Sequence, residues 1–517
     1  MEVKRALISV SDKTGLEDLV KKLNDMGVEI ISTGGTYKKI NSLGVPVTEV
    51  SSYTGYPEMM DGRVKTLHPK IHGGLLALRD NKEHMDQAQK QDINMIDMVV
   101  VNLYPFEETV SRKGVSLEEA IENIDIGGPS MLRSAAKNYR SVAVLSSPSQ
   151  YDKVINELEG NDRNLSEETL KELAVQVFER TSRYDSAINN YLAGEETAEK
   201  DLPDTIDISL KKARGLRYGE NPHQNASLYS CAEGSEKGVI DAEQFQGKEL
   251  SFNNIIDLDS AYEMVSSFDE PAVSIVKHNN PCGIATASTL KQAYLDALDS
   301  DRISAFGSIM GFNGKIDGPL AETILSEIDF LECVIAPEYD PAALEVFKTK
   351  KNLRILKKSL PQYPPKRKDM KKVAGGFLVQ DKDYVSLSKS DMKVVTKEKP
   401  SKELMDALVF SWKAVSFVKS NAILLCQGTK SVGIGAGQMS RVDSVVIAVC
   451  KAGDRAKGAV LASDAFFPMA DSIEAAHEAG IAAIIQPGGS IRDQEIIDAC
   501  DRLGIPMIFT GKRHFKH

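Results

Sequence analysis

The sequence lacks the cysteine patterns of metal and disulfide sites. Its 517 residues include six cysteines, and no two of these lie closer than 24 positions apart, so no C-x-x-C motif occurs. This spacing argues against a zinc ribbon, a dithiol redox site and a dense disulfide framework. Scattered cysteines are typical of a reducing compartment, so we expect a cytoplasmic protein.

Other absences exclude whole classes of partner. No uncharged apolar run approaches the length of a membrane span, and the first residues show no signal-peptide core, so we expect no membrane association. The chain has 63 Lys and Arg against 74 Asp and Glu, whereas proteins that coat nucleic acids are usually basic. We therefore expect no nucleic-acid partner. No P-loop motif occurs, which argues against nucleotide-dependent phosphoryl transfer.

What the sequence does contain is the pattern of two α/β regions. In residues 1–199, buried strands alternate with amphipathic helices, which is typical of a doubly wound parallel sheet. An acidic, proline-containing stretch at 194–206 predicts a boundary, and the alternation resumes over 200–517. The basic, proline-rich stretch 361–372 predicts an exposed connector or hairpin.

The second region also carries a weak internal repeat. Val276-Lys277-His278-Asn279 is echoed by Val418-Lys419-Ser420-Asn421, and Ser304-Ala305-Phe306-Gly307 is echoed by Ser463-Asp464-Ala465-Phe466. These matches fit a duplicated α/β unit.

Two loops rich in Ser, Thr and Gly each join a predicted strand to a predicted helix in the first region. They span residues 9–15 and 32–36, and the first contains Lys13. Helix N-termini offer unpaired N–H groups to phosphate, and ligands bind at the carboxyl ends of strands in open sheets. Simple N-capping by Ser and Thr is the alternative. Two such loops in one sheet, one with a lysine, favour a phosphate site.

Further polar residues of the first region are ambiguous when taken singly. Arg63, Lys65 and Thr66 lie in one extended segment that is either a ligand site or a solvated basic patch. His68 and His72 are four residues apart, but Pro69 argues against one continuous helix there, so we predict no metal site.

The segment Lys277-His278-Asn279-Asn280 follows a buried strand and predicts a turn. Histidine is a general base near neutral pH, and an adjacent lysine can stabilise a developing negative charge. A strand-end histidine in a turn network is the alternative. Cys282 has no C-x-x-C partner and no H-x-E precedes it, so we predict no zinc centre of the deaminase type.

Taken together, these motifs resemble the bifunctional AICAR formyltransferase/IMP cyclohydrolase family of purine biosynthesis. SVSDKTGL, STGGT, GRVKTLHP, NLYPF, IDIGGP and AAKN occur in family order in the first region, and LRYGENPHQ, VKHNNPCG, FGS, IGAGQ-x-SR, SDAFFP and RHFKH follow in the second. The resemblance covers essentially the whole chain.

For residues 1–199, the resemblance implies a methylglyoxal-synthase-like domain that closes 5-formyl-AICAR to IMP with loss of water. It implies two groups of residues: a phosphoribosyl site of Ser11, Lys13, Thr14, Ser32, Gly34, Gly35 and Thr36, and a reacting end of Arg63, Lys65, Thr66, Asn102, Tyr104, Asp125, Gly127 and Lys137. Within the second group, Lys65, Tyr104, Asp125 and Lys137 would be catalytic.

For residues 200–517, the resemblance implies two cytidine-deaminase-like units without zinc. They would transfer a formyl group from 10-formyltetrahydrofolate to the 5-amino group of AICAR, in a homodimer whose interface contains the site. The implied catalytic residues are Lys277, His278 and Asn421, and the implied binding residues are Arg217, Tyr218, Phe306, Gly307, Glu332, Arg441, Phe466, Asp471 and Arg513.

The sequence departs from the family pattern at a few positions. Glu332 stands where some members carry Asp near the folate pterin. A potassium site near Ser420 and Asp464 is disfavoured because Val418 and Ala422 have no side-chain oxygen. Two alternatives stay open at this level: a phospho-ligand sensor fused to an inactive scaffold, and a single-activity enzyme whose other half only supports a dimer.

Overall fold

The computed structural model describes residues 1–112, 114–197, 202, 204–206, 208–231, 238–360, 367–384, 387 and 391–517. The chain divides into two compact units, Met1–Ser209 and Leu210–His517. The boundary predicted at 199/200 and the first part of the proline-rich stretch, 361–366, lie outside the described residues.

The first unit is built on a parallel sheet, as the alternation of strands and helices predicts. Within its described residues the sheet has five strands in the order β3-β2-β1-β4-β5, and each neighbouring pair is parallel. The strands are β1 (Arg5–Val10), β2 (Glu29–Ser32), β3 (Thr48–Glu49), β4 (Met98–Asn102) and β5 (Ala143–Leu145). The order reverses at β1, which is the switch point of a doubly wound sheet.

Helices connect these strands and cover the sheet. They are α1 (Leu16–Asp25), α2 (Gly34–Ser42), α3 (Val50–Thr54), α4 (Pro69–Leu76), α5 (Lys82–Lys90), α6 (Phe106–Ser111), α7 (Leu117–Glu122), α8 (Gly127–Lys137), α9 (Tyr151–Gly160) and α10 (Glu167–Thr197). Leu16, Leu19, Val20 and Leu23 form the buried face of α1, at the spacing that predicted this helix. His68 is the N-cap of α4 and Pro69 its first residue, so the two histidines do not share one helix.

The second unit is built on one long mixed sheet. Within the described residues it has twelve strands in the order β16-β21-β20-β19-β17-β18-β10-β9-β11-β12-β13-β8, and two separate hairpins, β6–β7 and β14–β15, lie outside it. The strands are β6 (Leu210–Leu216), β7 (Ala226–Cys231), β8 (Glu243–Gln246), β9 (Ala272–Lys277), β10 (Asn280–Thr286), β11 (Ser308–Phe312), β12 (Leu331–Ala336), β13 (Arg354–Lys357), β14 (Lys368–Val373), β15 (Gly376–Asp381), β16 (Lys393–Val394), β17 (Ile423–Gln427), β18 (Lys430–Gly435), β19 (Val460–Ser463), β20 (Ala483–Gln486) and β21 (Met507–Phe509).

The helices of the second unit cover both faces of this sheet. They are α11 (Phe252–Ser266), α12 (Leu290–Leu298), α13 (Gly318–Glu327), α14 (Pro341–Phe347), α15 (Lys402–Val415), α16 (Arg441–Ala452), α17 (Asp471–Glu478) and α18 (Asp493–Leu503). On one face α11 and α15 share a single core that includes Trp412. The other face has two cores, one beneath α12, α13 and α14, and one beneath α16, α17 and α18.

The strand order confirms the duplicated unit. Outward from the central β10–β18 pair, every strand of one half has a counterpart at the same position in the other half. Each counterpart pairs with its own next strand in the same sense, parallel or antiparallel. Residues 272–286 therefore correspond to 422–436. Gly283 and Gly433 lie at equivalent positions, and each leaves room for a helix backbone, at Ala297 and at Ala448.

The residues that suggested the repeat are not themselves equivalent. Val276–Asn279 ends β9 and forms the following turn, whereas Val418–Asn421 precedes β17. Likewise, Ser304–Gly307 precedes β11, whereas Ser463 ends β19. Residues 423–435 form the hairpin β17–β18, whose turn begins at Gly428 with a φ of +56°.

None of the helices over the described residues is both long enough and apolar enough to cross a membrane.

A methyl group at Gly283 should destabilise the second unit. Its Cβ would collide with the carbonyl oxygen of Ala297 in α12, and neither backbone can move without disturbing the sheet. We expect Gly283→Ala to lower the free energy of unfolding by about 1–3 kcal/mol, measured by urea denaturation. Gly376→Ala is the matched control, because nothing lies within 4 Å of its added Cβ. Equal stability of the two variants would contradict this packing argument.

Candidate active sites

The two Ser- and Gly-rich loops of the first unit lie side by side. They follow β1 and β2, which are neighbours in the sheet, and each leads into a helix. The N-cap residues of these helices, Gly15 for α1 and Thr33 for α2, make no side-chain capping bond. The structure therefore shows no side-chain N-capping by Gly15 or Thr33, and the first N–H of α1, that of Leu16, donates to the carbonyl of Lys13 at 3.2 Å.

Side chains lock these loops in place. The Ser32 hydroxyl donates to the carbonyl of Ile8 at 2.7 Å, and the Thr36 hydroxyl makes 3.0 Å bonds with both backbone groups of Val10. Both hydroxyls are buried. Their contacts connect β2 and α2 to β1, so a ligand at this edge would meet Lys13 and the backbone of Gly34 and Gly35 before these two hydroxyls.

Asn102, at the end of β4, holds the other loop. Its Oδ1 accepts the N–H groups of Ser11 at 2.6 Å and Asp12 at 3.0 Å, and its Nδ2 donates to the carbonyl of Asp12 at 2.8 Å. The Thr14 hydroxyl donates to the Asp12 carboxylate at 2.7 Å. Asn102 thus shapes the loop, a role that its place in the NLYPF motif did not reveal.

Lys65 and Asp125 lie beside these loops. A Cβ added at Gly34 would lie 3.8 Å from the Lys65 ammonium nitrogen, so this cation lies over the start of α2. Thr66, the residue after Lys65, lies against the start of α8, because a Cβ added at Gly127 would be 2.6 Å from the Thr66 hydroxyl oxygen. The Asp125 carboxylate accepts the N–H of Gly128 at 2.9 Å.

Burial sets the protonation tendency of Asp125. Removal from water raises the pKa of its carboxyl, while the N–H groups of Gly128 and Tyr104 and the charge of Lys65 act against this shift. The backbone around it is fixed, because the Tyr184 hydroxyl accepts the N–H of Asp125 at 2.8 Å and donates to the carbonyl of Asn123. A buried carboxylate with a raised pKa facing a lysine is suited to proton transfer.

The remaining predicted residues of this unit lie at its periphery. Arg63 is exposed and forms an ion pair with Glu122 on α7. The Tyr104 side chain is 42% exposed at the mouth of the site. Lys137 is the last residue of α8, about 15 Å along the helix axis from Gly127, and the structure does not bring it together with Lys65.

In the second unit, one edge of the long sheet collects the predicted transferase residues. At this edge β9 and β18 end and β10, β11, β12 and β17 begin, because the two halves run in opposite directions about the β10–β18 pair. We call it the Lys277 edge. The parallel strands β11 and β12 of the first half begin at this edge, whereas the parallel strands β19 and β20 of the second half end there.

Lys277 and His278 form the centre of the Lys277 edge. The Lys277 ammonium donates to the carbonyl of Phe306 at 2.7 Å, and the exposed His278 begins the turn between β9 and β10. Asp257 on α11 accepts the N–H groups of His278 at 3.2 Å and Asn279 at 2.7 Å. This carboxylate was not predicted, because nothing in the sequence around α11 indicates that it faces the turn.

Asn421 belongs to a buried polar network. Its Oδ1 accepts a bond from Arg441 at 2.6 Å, and its Nδ2 donates to the carbonyls of Gln438 and Met439. Arg441 also pairs with Asp464, a fully buried carboxylate whose other partners are the Ser420 hydroxyl and the N–H of Ala422. A buried charge pair of this kind requires such full hydrogen bonding.

A single hydrogen bond joins the turn of the first half to this network in the second. The N–H of Lys419 donates to Asn280 Oδ1 at 3.0 Å. Asn280 was read only as a turn residue, although its side chain brings Lys277 and His278 close to the segment of Asn421. This bond places the turn of Lys277 and His278 next to the segment that precedes Asn421.

An aromatic surface lies next to Lys277. The rings of Phe306 and Phe330 are 5.4 Å apart and both are exposed, and Gly307 takes a φ of +72° with its N–H bonded to the carbonyl of Phe330 at 2.8 Å. Glu332, at the start of β12, forms an ion pair with Arg354. Its carboxylate is thus already partnered, whereas Phe330 is a ring that sequence reasoning missed.

The other predicted binding residues have few internal partners. Arg217 stacks over Tyr218, with 5.5 Å between guanidinium carbon and ring centre, and Arg513 stacks over Phe515 at 4.6 Å. Phe466 follows β19 at the Lys277 edge, and the exposed Asp471 begins α17. Cys282 lies within β10, where burial raises the pKa of its thiol to about 12.

The two folds and their sites define a two-site enzyme. One unit combines a doubly wound sheet with two Ser- and Gly-rich loops and a half-buried Asp125 near Lys65, and the other combines a duplicated α/β unit with a Lys-His turn. Such constellations are typical of proton-transfer and group-transfer chemistry on an anionic small molecule.

Comparison with known proteins identifies the family. A model described as AICARFT/IMPCHase bienzyme matches residues 135–451, and one described as MGS-like domain matches residues 15–130. The chain is 51% identical to the bifunctional purine biosynthesis protein PurH of Acetivibrio thermocellus, over 100% of both chains. The PurH proteins of Bacillus cereus strain B4264 and Thermoanaerobacter sp. strain X514 are 51% and 52% identical, over 99% of this chain and 100% of each relative.

The chain belongs to the AICARFT/IMPCHase bienzyme family. It is a bifunctional enzyme of purine biosynthesis with AICAR formyltransferase and IMP cyclohydrolase activities, and its N-terminal domain is MGS-like. The sensor and single-activity alternatives are therefore not retained. A formyltransferase of this pathway uses a folate co-substrate.

Proposed function

We propose that formyl transfer takes place at the Lys277 edge, within residues 200–517, and cyclisation in residues 1–199. The observation that carries this division is the hydrogen bond between Lys419 and Asn280, since it joins Lys277 and His278 to the network of Asn421. The first unit has its own separate Lys65–Asp125 pair. Each unit thus has a complete set of groups for one of the two reactions.

In the transferase reaction, the co-substrate is 10-formyltetrahydrofolate. The 5-amino nitrogen of AICAR attacks the formyl carbon, the carbon–N10 bond of the folate breaks, and the proton lost by the amine ends on N10. His278 accepts that proton and Lys277 stabilises the tetrahedral oxyanion. The ammonium of Lys277 spends one N–H on Phe306 and retains two for the substrate oxygen.

Neighbouring residues would hold the two substrates. The exposed rings of Phe306 and Phe330 offer a surface for the flat pterin, with Gly307 between them. Arg441 and Asn421 present a fixed polar wall. The nucleotide and the folate would also contact the exposed Arg217, Asp471 and Arg513 and the half-buried Tyr218 and Phe466. Glu332 acts through its pair with Arg354 and is the least direct of these contacts.

In the cyclohydrolase reaction, the carboxamide nitrogen of 5-formyl-AICAR attacks its own formyl carbon. A carbon–nitrogen bond forms, and the formyl carbon–oxygen bond then breaks. The oxygen leaves as water with one proton from the carboxamide nitrogen and one from the formamido nitrogen, which forms a double bond to the same carbon. Asp125 takes the amide proton, and Lys65 stabilises the oxyanion and then helps it to leave. The raised pKa of Asp125 improves it as a base. Because the reaction is intramolecular, positioning by the loops at Lys13 and Gly34 supplies much of the acceleration.

We further propose a homodimer, with the transferase site at its interface. Both hairpins of the second unit, β6–β7 and β14–β15, have mostly exposed side chains, among them Leu210, Tyr229, Phe377 and Leu378 at 50–61% exposure. An isolated two-stranded hairpin is marginally stable in water, so these hairpins need a partner surface. The exposed Arg217 and the half-buried Tyr218 follow β6 and would reach the partner subunit.

The state of the cysteines also bears on the cellular location. All six cysteines are free, which supports a reducing compartment. We propose that the enzyme is cytoplasmic.

Separate variants should abolish the two activities separately. We expect Lys277→Ala and His278→Ala to slow formyl transfer by about 10²–10⁴-fold with cyclisation intact, and Lys65→Ala and Asp125→Asn to do the reverse. Formyl transfer is followed with AICAR and 10-formyltetrahydrofolate, and cyclisation with added 5-formyl-AICAR. Lys21→Ala, on the exposed face of α1, is the control. Near-normal formyl transfer by Lys277→Ala and His278→Ala would refute the assignment.

Fragments test the division between the units. We expect residues 1–199, expressed alone, to convert 5-formyl-AICAR to IMP, because the Lys65–Asp125 site draws only on that unit. Residues 200–517 should form 5-formyl-AICAR and accumulate it. Cyclisation by the second fragment, or its absence from a folded first fragment, would overturn the division.

A charge on the β14–β15 hairpin should separate the subunits. Phe377→Asp with Leu378→Asp would bury two carboxylates in the proposed interface, so we expect a monomer by sedimentation, without formyl transfer but with cyclisation. Leu117→Asp, on α7 of the first unit, is the matched exposed control. An unchanged molecular mass for the double variant would argue against this interface.

A further inference from the structure

The turn that carries His278 has an unusual backbone for its residues. His278 and Asn279 connect the paired residues Lys277 and Asn280, and their φ angles are +52° and +61°. Two-residue hairpin turns with both φ angles positive are the type I′ class, which prefers Asn or Gly. A histidine in this conformation carries steric strain, and such strain persists only where surrounding contacts determine it.

The equivalent turn in the second half avoids this strain. There Gly428 and Thr429 connect Gln427 and Lys430, and it is glycine that takes the positive φ of +56°. Glycine adopts this conformation freely because it has no Cβ. The two halves share one hairpin architecture, so the first half keeps a side chain at a position where the fold itself would accept glycine.

Asp257 supplies the contacts that hold the strained turn. Its Oδ2 accepts the N–H of His278 at 3.2 Å and its Oδ1 accepts the N–H of Asn279 at 2.7 Å, so each carboxylate oxygen takes one donor. Ser260, one helical turn further along α11, donates its hydroxyl to Asn279 Oδ1 at 2.7 Å. Successive N–H groups of this kind form a concave site for a negative group, and the carboxylate fills it.

We propose that Asp257 is a positioning residue for formyl transfer, which holds the Lys277–His278 turn so that the imidazole and the ammonium face the same reacting carbon. This inference rests on the proposed function of Lys277 and His278. Asp257 contacts the backbone of the turn on the α11 side, so it acts through His278 and not on the substrate. Its role is specific to the first half, whose turn lacks glycine.

The test is Asp257→Asn in the full-length protein. The amide oxygen of Asn can accept one of the two N–H groups, but its NH₂ is a donor and cannot accept the other. The turn therefore loses one of its two hydrogen bonds and is held less firmly. We expect the kcat of formyl transfer to fall about 10- to 100-fold, since small misplacements of catalytic groups have effects of that size. The KM values for AICAR and 10-formyltetrahydrofolate should stay within about twofold, and cyclisation by the same chain should be unchanged.

Asp296→Asn is the matched control. Asp296 lies on α12 of the same half and pairs with Lys430 at 3.0 Å, near the edge of the sheet opposite to the Lys277 edge. This control should have normal kcat values for both reactions. A normal kcat for Asp257→Asn, or a rise in KM without a change in kcat, would overturn the positioning role.

The same set of variants distinguishes the two levels of the argument. If Lys277→Ala and His278→Ala abolish formyl transfer while Asp257→Asn does not, the proposed site stands and the positioning role is refuted. If neither Lys277→Ala nor His278→Ala reduces formyl transfer, the proposed site fails whatever Asp257→Asn does. An equal loss of both activities in Asp257→Asn, with a lowered melting temperature, would mean a general folding defect and would also refute the positioning role.

Discussion

The antiparallel pairing of β10 with β18 is the contact on which the transferase region depends. It joins two similar α/β units into one sheet, and it reverses the direction of the second unit relative to the first. Strand beginnings of one half therefore share an edge with strand ends of the other. Only this arrangement brings the turn of Lys277 and His278 close to Asn421, since the turn belongs to the first half of the second unit and Asn421 to the second half.

Both sites also depend on buried or half-buried polar side chains that hold backbone. Asn102 shapes the loop of Lys13, Asp257 holds the turn of His278, and Asp464 fixes Arg441. Polar groups removed from water must be hydrogen-bonded, so each of these side chains has a small number of permitted geometries. The reactive side chains can then remain exposed and still be well oriented.

Much of the fold could be predicted from local patterns. The five parallel strands of the first unit and helices such as α1 and α16 follow directly from apolar spacing and terminating glycines. The hairpin β17–β18 turns within Gln427-Gly428-Thr429-Lys430-Ser431, a polar interruption between two apolar runs. The repeat was inferred from segments that are not equivalent in the fold, since Val276–Asn279 ends β9 whereas Val418–Asn421 precedes β17.

Local patterns likewise predicted only part of the candidate sites. Ser32 and Thr36 belong to a motif that indicates phosphate binding, yet their hydroxyls bond to the backbone of β1. The sequence by itself determined the family and the two activities, and it supplied the candidate site residues, because these are recorded in short motifs. Only the tertiary structure decided which side chains meet and which ones hold them, as with Asp257 and Asn280, because such contacts join residues that no local pattern relates.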